Sequence, residues 1–301
     1  MQKELEALAA KNGDRLMVIN IKYLNELKKF FNEYSQQNEL NPFQKWITNK
    51  MYDFTIPDER IKSLILMAVH HPFYAKVEFI FNGKKKNIFS LVRSDFEVVE
   101  SYLKRYLEAQ GLLLIPAFNL PLKRLGAQSG LAVYGKNNIT YVDGLGSNFS
   151  YLPFFSDLPC AQNTWGEAKL AETCQNCMLC VNACPTGAIR QDRFLIDNQR
   201  CLSFFNEVPD DFPEWLDEKM HHTAYDCLYC QKICPMNADQ IDKIEDNISF
   251  NAEETNSIIN GAEFKSLKKQ TRQKLQYLGM DDWYKAIPRN LKILLSKRKT
   301  S

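Results

Sequence analysis

Over the first 115 residues the spacing of apolar positions switches back and forth between a helical and an extended period. "QKELEALAAKNG" (2–13) predicts a short helix closed by Asn12-Gly13, "RLMVINI" (15–21) a strand, and "LNELKKFFNEYSQQN" (24–38) an amphipathic helix. "KSLILMAV" (62–69) is a continuous apolar run suited to a buried strand. "KVEFIFNGKKKNIFSLV" (76–92) divides at Asn82-Gly83, a strong hairpin signal. Ser94 with Glu97 makes a capping box for a helix to about Gln110, with Phe96, Val99, Leu103 and Tyr106 on one face and Gly111 as the stop. "LLLI" (112–115) reads as a further buried strand. Glycines in "SGLAVYGKNN" (129–138) and "DGLGSN" (143–148) mark turns or close backbone approaches. Helical patterning returns from about Glu253 to Leu295. The expected fold class is α+β, with an α/β domain over 1–160, a cysteine-rich domain over 161–245 and a basic helical segment over 246–301.

Composition narrows the setting. The 301 residues are 45% hydrophobic, enough for two compact units. No run approaches the roughly 18 apolar residues of a membrane span, and the first residues have no secretory apolar core. A cytoplasmic protein without membrane contact is the expectation, and in a reducing compartment CxxC groupings point to metal ligation or catalysis rather than disulfides. The net charge of +2 is uninformative, but residues 261–301 carry eleven Lys or Arg against three acids. They form either a solvated helical face with a basic tail or a docking surface for an anionic partner.

The cysteines carry the chemistry. "CQNCMLCVNACPTGAI" (174–189) has the spacing C-x2-C-x2-C-x3-C-P, in which three thiolates wrap one face of an iron–sulfur cube and the fourth ligates a second cluster. The echo "CLYCQKICPMN" (227–237) is one cysteine short, and Cys201 in "DNQRCLSFF" makes the eighth. The exchange rule assigns Cys174, Cys177, Cys180 and Cys234 to one [4Fe–4S] cluster, and Cys184, Cys201, Cys227 and Cys230 to the other. Zinc closes at four ligands and explains neither the third cysteine at x2 nor the paired Cys-Pro. Cys160 is left over as a small side chain. A cluster pair carries single electrons, so the function depends on what else is bound.

With these motifs placed, the chain resembles the epoxyqueuosine reductase family and, more distantly, reductive dehalogenases. The resemblance rests on "CQNCMLCVNACPTGAI", "RCLSFF" (200–205), "YDCLYCQKICPMN" (225–237) and "LGAQSGLAVYGKNNI" (125–139), with weaker likeness in "FSDLP" (155–159) and "PRNLKILL" (288–295). It implies an N-terminal α/β domain of corrinoid-binding type and a C-terminal ferredoxin-like double-cluster domain feeding electrons to cobalamin. Gly130, Leu131, Tyr134, Gly135, Lys136 and Asn137 match the segment expected to approach that cofactor. No Asp-x-His-x-x-Gly cobalt-ligand motif is present, and the resembling families bind cobalamin without one.

The chain departs from the family where function is decided. The family has Asp-Ser/Thr-x-Pro ahead of the Gly-Leu segment and uses that aspartate as proton source. Here the stretch is "IPAFNLPLKRLG" (115–126), and no acid occurs between Glu108 and Asp143. Tyr134, Asp143 and the pair His70-His71 are the remaining proton-donor candidates, and no catalytic residue is assigned. The expected activity is an iron–sulfur oxidoreductase that takes electrons from a low-potential carrier such as a ferredoxin or flavodoxin and reduces an unidentified small molecule through cobalamin. The alternatives are an electron-transfer or reactivating protein for a partner corrinoid protein or enzyme, and a tRNA-modifying epoxyqueuosine reductase with a displaced proton donor.

Overall fold

The computed structural model describes residues 1–37, 40–71, 74–160 and 164–296. Asn38, at the end of the helix expected over 24–38, and Lys297, Arg298 and Lys299 of the basic tail lie outside the described residues. The chain divides into two compact units. One comprises Met1–His70, Ser94–Gly135 and Ile139–Gln175, the other His71–Arg93, Lys136–Asn138 and Asn176–Ser301.

The first unit is built on strands β1 (Arg15–Asn20), β2 (Ser63–His70), β5 (Ile115–Pro116) and β8 (Phe149–Ser156), in the order β1-β2-β8-β5. All pairings among them are antiparallel. β2 is buried from Ser63 to Val69, as its unbroken apolar run requires. Alternate side chains go to opposite faces. Ile65, Met67 and Val69 pack with Leu5 and Ala9 of α1 (Gln2–Lys11) and with Val99, Leu103 and Leu107 of α4 (Phe96–Glu108). Leu64 and Leu66 pack with Leu24, Leu27 and Phe31 of α2 (Lys22–Tyr34) and with Leu125 of α5 (Leu122–Gln128). α3 (Pro42–Trp46) starts on an Asn41–Gln44 capping box and runs into a π turn at Ile47–Met51. β6 (Val133–Tyr134) and β7 (Thr140–Tyr141) form a small hairpin.

Two local expectations shift. Helix α4 is capped by Asp95, whose carboxylate accepts the Val98 N–H at 3.1 Å. The Ser94 hydroxyl instead donates to the Val69 carbonyl at 3.1 Å, tying the helix start to the end of β2. "LLLI" yields only the two-residue β5, because the Leu113 N–H goes to the Asp157 carboxylate at 2.8 Å rather than into a ladder. Proline at 116 also has no N–H to extend one.

In the second unit β3 (Tyr74–Phe81) and β4 (Lys84–Leu91) form the predicted hairpin. Asn82 at φ 50° and Gly83 at φ 71° supply the left-handed pair that a tight hairpin turn needs. β9 (Ile244–Glu245) and β10 (Ser249–Phe250) pair in parallel with β3. This accounts for the main departure from the linear division at 160 and 245. Residues 75–92 share a core with the C-terminal helices, in which Val77, Phe79 and Ile88 meet Phe250, Ile258, Leu275 and Leu291. Phe79 stacks on Phe250 with ring centroids 4.7 Å apart. The short helices α6 (Leu179–Ala183), α7 (Leu202–Glu207), α8 (Tyr229–Lys232) and α9 (Ala238–Ile241) are followed by α10 (Ala252–Ile259), α11 (Lys269–Tyr277) and α12 (Ile287–Ser296).

Much of the basic character of these last helices is internal. Lys268 pairs with Glu253 and Lys274 with Glu254. Arg272 donates to the carbonyls of Lys265 and Leu267, and Arg289 donates to the Phe205 carbonyl and lies 3.7 Å over the Phe212 ring. Glu254 is the keystone, being buried, bonded to Lys274 and to the Thr271 hydroxyl, and closing the α10 capping box with Asn251. Burial alone would raise its carboxyl, but Lys274, the Asn251 N–H and Thr271 outweigh burial and hold it below its usual value of 4.5. The pair therefore stabilises the fold fully above that value and loses its contribution as pH falls through the depressed one. Glu254→Gln is expected to cost about 2 kcal/mol at neutral pH. In thermal unfolding the gap between parent and variant should close below about pH 4.5; a pH-independent gap would remove the ionic contribution.

Candidate metal centre

The cysteines sit at the edges of short helical turns, where backbone N–H groups are free to face sulfur. Cys174 is buried and ends the 3-10 turn Glu172–Cys174 of the first unit. The other seven motif cysteines belong to the second unit. Cys180 lies in α6 and Cys230 in α8, while Cys201 is the N-cap residue of α7. The backbone N–H groups of Ser203 and Phe204 reach the Cys201 sulfur, and that of Tyr229 reaches the Cys227 sulfur. All nine cysteines are free thiols. Cys160 donates to the Val18 carbonyl at 3.3 Å and packs against the α1–α4 core, as a small structural side chain would.

Five thiols, Cys180, Cys184, Cys201, Cys227 and Cys230, are close enough for one to influence another's ionisation. Burial raises Cys201, Cys227 and Cys230, the last up to about 12, and neighbouring thiol charges add to the effect. Cys201 feels Cys184, Cys227 feels Cys201, Cys230 and Cys184, and Cys230 feels Cys201, Cys180 and Cys184. The group Cys184, Cys201, Cys227 and Cys230 is the set that the exchange rule places on one cluster. Buried, mutually repelling thiols ionise only beside strong positive charge, which iron supplies, so the donor set fits an iron–sulfur group. Among the described residues no three His, Cys, Asp or Glu side chains close around one point as a single-ion site requires.

The loop carrying Cys227 is held under strain. Asp226 and Leu228 on either side of it are left-handed at φ 55° and 63°, a costly geometry for non-glycine residues. The Asp226 carbonyl accepts from Asn206 Nδ2 at 2.6 Å and from the Thr223 hydroxyl at 2.8 Å, and its carboxylate accepts from the Ser203 hydroxyl at 2.7 Å. Asn290 Nδ2 of α12 in turn donates to the carbonyls of Asn206 and Ala224 at 2.7 and 2.8 Å. His222 Nε2 lies 2.6 Å from the Cys227 carbonyl oxygen and 3.6 Å from its sulfur. Thr186 is 3.7 Å from the Cys184 sulfur.

The residues matched to the cofactor segment divide between the units. Lys136 and Asn137 go with the second, where Lys136 Nζ donates to the Cys177 carbonyl at 3.2 Å and the buried Asn137 amide bonds to Cys230. Gly130, Leu131, Tyr134 and Gly135 go with the first. Gly130, at φ 82°, is exposed, and beyond its chain neighbours no atom of the described residues lies within 4 Å of where a Cβ would stand, so a flat ligand could approach its backbone. Tyr134 is 8% exposed, and burial pushes its phenol well above the usual range.

The proton-donor candidates also separate. Asp143 is exposed in a turn closed by the Val142–Gly146 bridge. His71 Nδ1 is engaged by the Val92 carbonyl at 2.6 Å. His70 Nδ1 meets the buried Asp14 carboxylate at 2.8 Å, whose other oxygen accepts the Tyr102 hydroxyl at 2.8 Å, and the His70 side chain is 39% exposed. His70 lies on the same face of β2 as Ala68, which packs with Leu131 and Ala132. In the stretch lacking an acid, the Asn119 carbonyl accepts the Asp53 N–H at 2.9 Å. The hydroxyl and N–H of Thr55 hold the Asp53 carboxylate below its usual range, so it stays ionised and offers no proton at neutral pH.

Residues 173–237 match the family model described as a 4Fe-4S double cluster binding domain. Over 113 residues, 35% of this chain, the sequence is 30% identical to epoxyqueuosine reductase of Cyclobacterium marinum, and the match spans 35% of that protein's length. The solved structure of epoxyqueuosine reductase from Streptococcus thermophilus aligns over 98% of this chain and 80% of its own, with a TM-score of 0.63 at 16% identity. A selenomethionine-labelled epoxyqueuosine reductase aligns over 97% and 80%, with a TM-score of 0.67 at 18% identity. One solved with an epoxyqueuosine-modified tRNA-Tyr stem loop aligns over 97% and 80%, with a TM-score of 0.63 at 16% identity. Fold and cysteine block together define a double [4Fe–4S] cluster protein on a mixed α/β scaffold. Over part of its length the chain is similar in sequence to an epoxyqueuosine reductase, and its fold is similar to those of solved epoxyqueuosine reductases, the family its motifs resemble.

The site residues that the sequence did not signal are Asn206, Asn290, His222 and Tyr74. None stands in a spacing motif, and the fold brings Asn290 and Tyr74 beside the cysteine loops from far along the chain.

Proposed function

We propose that this protein is a reductase in which electrons from a low-potential ferredoxin- or flavodoxin-type donor pass through two [4Fe–4S] clusters to a corrinoid that reduces an unidentified substrate. Cys174, Cys177, Cys180 and Cys234 hold one cluster, and Cys184, Cys201, Cys227 and Cys230 the other. The observation that carries this reading is the grouping of Cys184, Cys201, Cys227 and Cys230, with Cys201 supplied from outside both motif blocks. A cytoplasmic location fits the exposed need for reduced thiols, and among the described residues no helix is long and apolar enough to cross a membrane.

Cobalamin is the proposed corrinoid. When bound, it supplies a metal centre that accepts electrons singly and passes them to a substrate. The open, left-handed Gly130 and the adjoining Leu131 and Gly135 fit a backbone approach to its ring, while Lys136 and Asn137 serve the cluster loops. Of the proton-donor candidates, His70 has the construction of a donor, with a buried carboxylate orienting one ring nitrogen on a side chain that is 39% exposed. Tyr134, buried and raised, releases its proton poorly.

A tRNA substrate is supported by the neighbour solved with a tRNA stem loop. The relay reading, with no substrate turned over, is favoured by the missing family aspartate.

The deciding experiment is anaerobic purification, then iron, sulfide and cobalt analysis after incubation with cobalamin. About eight irons per chain with one cobalt are expected. Eight irons with no retained corrinoid would shift the function to the relay, and about four would break the ligand assignment.

A further inference from the structure

Tyr74 opens β3 and is 1% exposed, yet its hydroxyl has no hydrogen-bond partner among the described residues. A buried hydroxyl left unpaired is costly, and native folds rarely keep one unless something else completes it. The side chain is not loosely placed. Its ring stacks on Phe89 with centroids 5.2 Å apart, its N–H donates to the Lys243 carbonyl at 2.8 Å, and its backbone pairs with Leu91 on one side and Ile244 on the other. Lys232 Nζ sits 3.7 Å over the same Phe89 ring, which puts the turn between Cys230 and Cys234 against this pair of aromatics. Besides burial, the groups that act on the phenol are Cys230 and Cys234, which places it close to both thiols. Those two cysteines belong, in the ligand reading, to different clusters.

We propose that the Tyr74 hydroxyl donates a hydrogen bond to sulfur of the cluster pair ligated by Cys230 and Cys234, and so sets a reduction potential. A donor aimed at sulfur stabilises the reduced, more negative cluster and raises its potential. Tyr74 is thus a positioning residue that touches the electron path without ligating iron. The inference rests on Cys230 and Cys234 being ligands, and the two ideas fail separately. The iron count of the unmutated protein and of Cys234→Ala tests the ligands, and Tyr74→Phe tests the hydroxyl.

The experiment is an EPR-monitored potentiometric titration of the cluster-loaded Tyr74→Phe protein beside the parent, with resonance Raman of the Fe–S stretches. Phenylalanine keeps the ring and its stack on Phe89 and removes only the donor. The expected result is an unchanged iron content, a shift in Fe–S stretching frequencies, and a lower midpoint for at least one cluster. The shift should reach about threefold to tenfold in the reduced-to-oxidised ratio at fixed potential, tenfold being about 59 mV for a one-electron couple. Midpoints that are both unchanged or raised would overturn the inference. Should Tyr74→Phe lose iron while keeping the parent's far-UV spectrum, the lost contact to sulfur is the cause and the inference stands; loss of iron and fold together would make the hydroxyl structural and overturn it.

Discussion

Cys201→Ala is expected to halve the iron content, from about eight irons per chain to about four, and to lower any electron-driven turnover by at least about 100-fold. Cys201 is the thiol that neither motif block supplies, and its buried sulfur feels Cys184 while Cys227 and Cys230 feel it. It faces the N-terminal N–H groups of α7, an arrangement that favours negative charge on sulfur. In the proposed ligand assignment, alanine leaves three ligands, too few to close a four-cysteine site, whereas the set of Cys174, Cys177, Cys180 and Cys234 keeps all its members. Cys201→Ser should recover part of the iron, since the hydroxyl occupies the same N-cap position. Cys160→Ala is the matched control and should lose none, because that thiol is spent on the Val18 carbonyl. Iron and sulfide analysis with EPR of the reduced protein checks the result. Loss of all eight irons in Cys201→Ala would mean that the clusters assemble as one unit, and retention of eight would remove Cys201 from the ligands.

The N-terminal elements were legible because they depend on local rules. The apolar run of β2 demanded burial on both faces, and Asn82-Gly83 could close a hairpin without help from the rest of the chain. The linear domain division failed for a physical reason: the β3–β4 hairpin is amphipathic on its own, and nothing in its pattern says which core its Val77, Phe79 and Ile88 will join. They join Phe250 and Leu275, nearly two hundred residues on, through a parallel pairing that a one-dimensional pattern does not encode. The double-cluster motif was readable because cluster ligation imposes short spacings. The groups that support the cysteine loops were not, since Asn137 reaches Cys230 from a distant loop and Asn290 reaches the Asn206 and Ala224 carbonyls from α12, and neither asparagine stands in a spacing motif. Lys136 and Asn137 illustrate this. Their motif pointed to a cofactor segment, and the fold gives each a partner on a cysteine-bearing loop.

Asn290→Ala should cost about 2–4 kcal/mol of stability, because it strips donors from two buried carbonyls at once. Asn290 is 1% exposed, bonds Asn206 and Ala224 through Nδ2, and has its own oxygen satisfied by Arg289. Through Asn206 it supports the carbonyl of Asp226, where the chain is held left-handed on both sides of Cys227. The strain at Asp226 and Leu228 persists only while that clamp is intact, so its loss should let the Cys227 loop relax toward ordinary backbone geometry. The effect should therefore be twofold: a lowered unfolding midpoint in denaturant, and preferential release to a chelator of the iron held by Cys184, Cys201, Cys227 and Cys230. Asn290→Asp separates packing from donation, since it keeps the shape and the acceptor for Arg289 but cannot donate to either carbonyl. It should release iron as fast as Asn290→Ala does. Equal and slow release from all three proteins would confine Asn290 to the helical core and detach it from the metal centre.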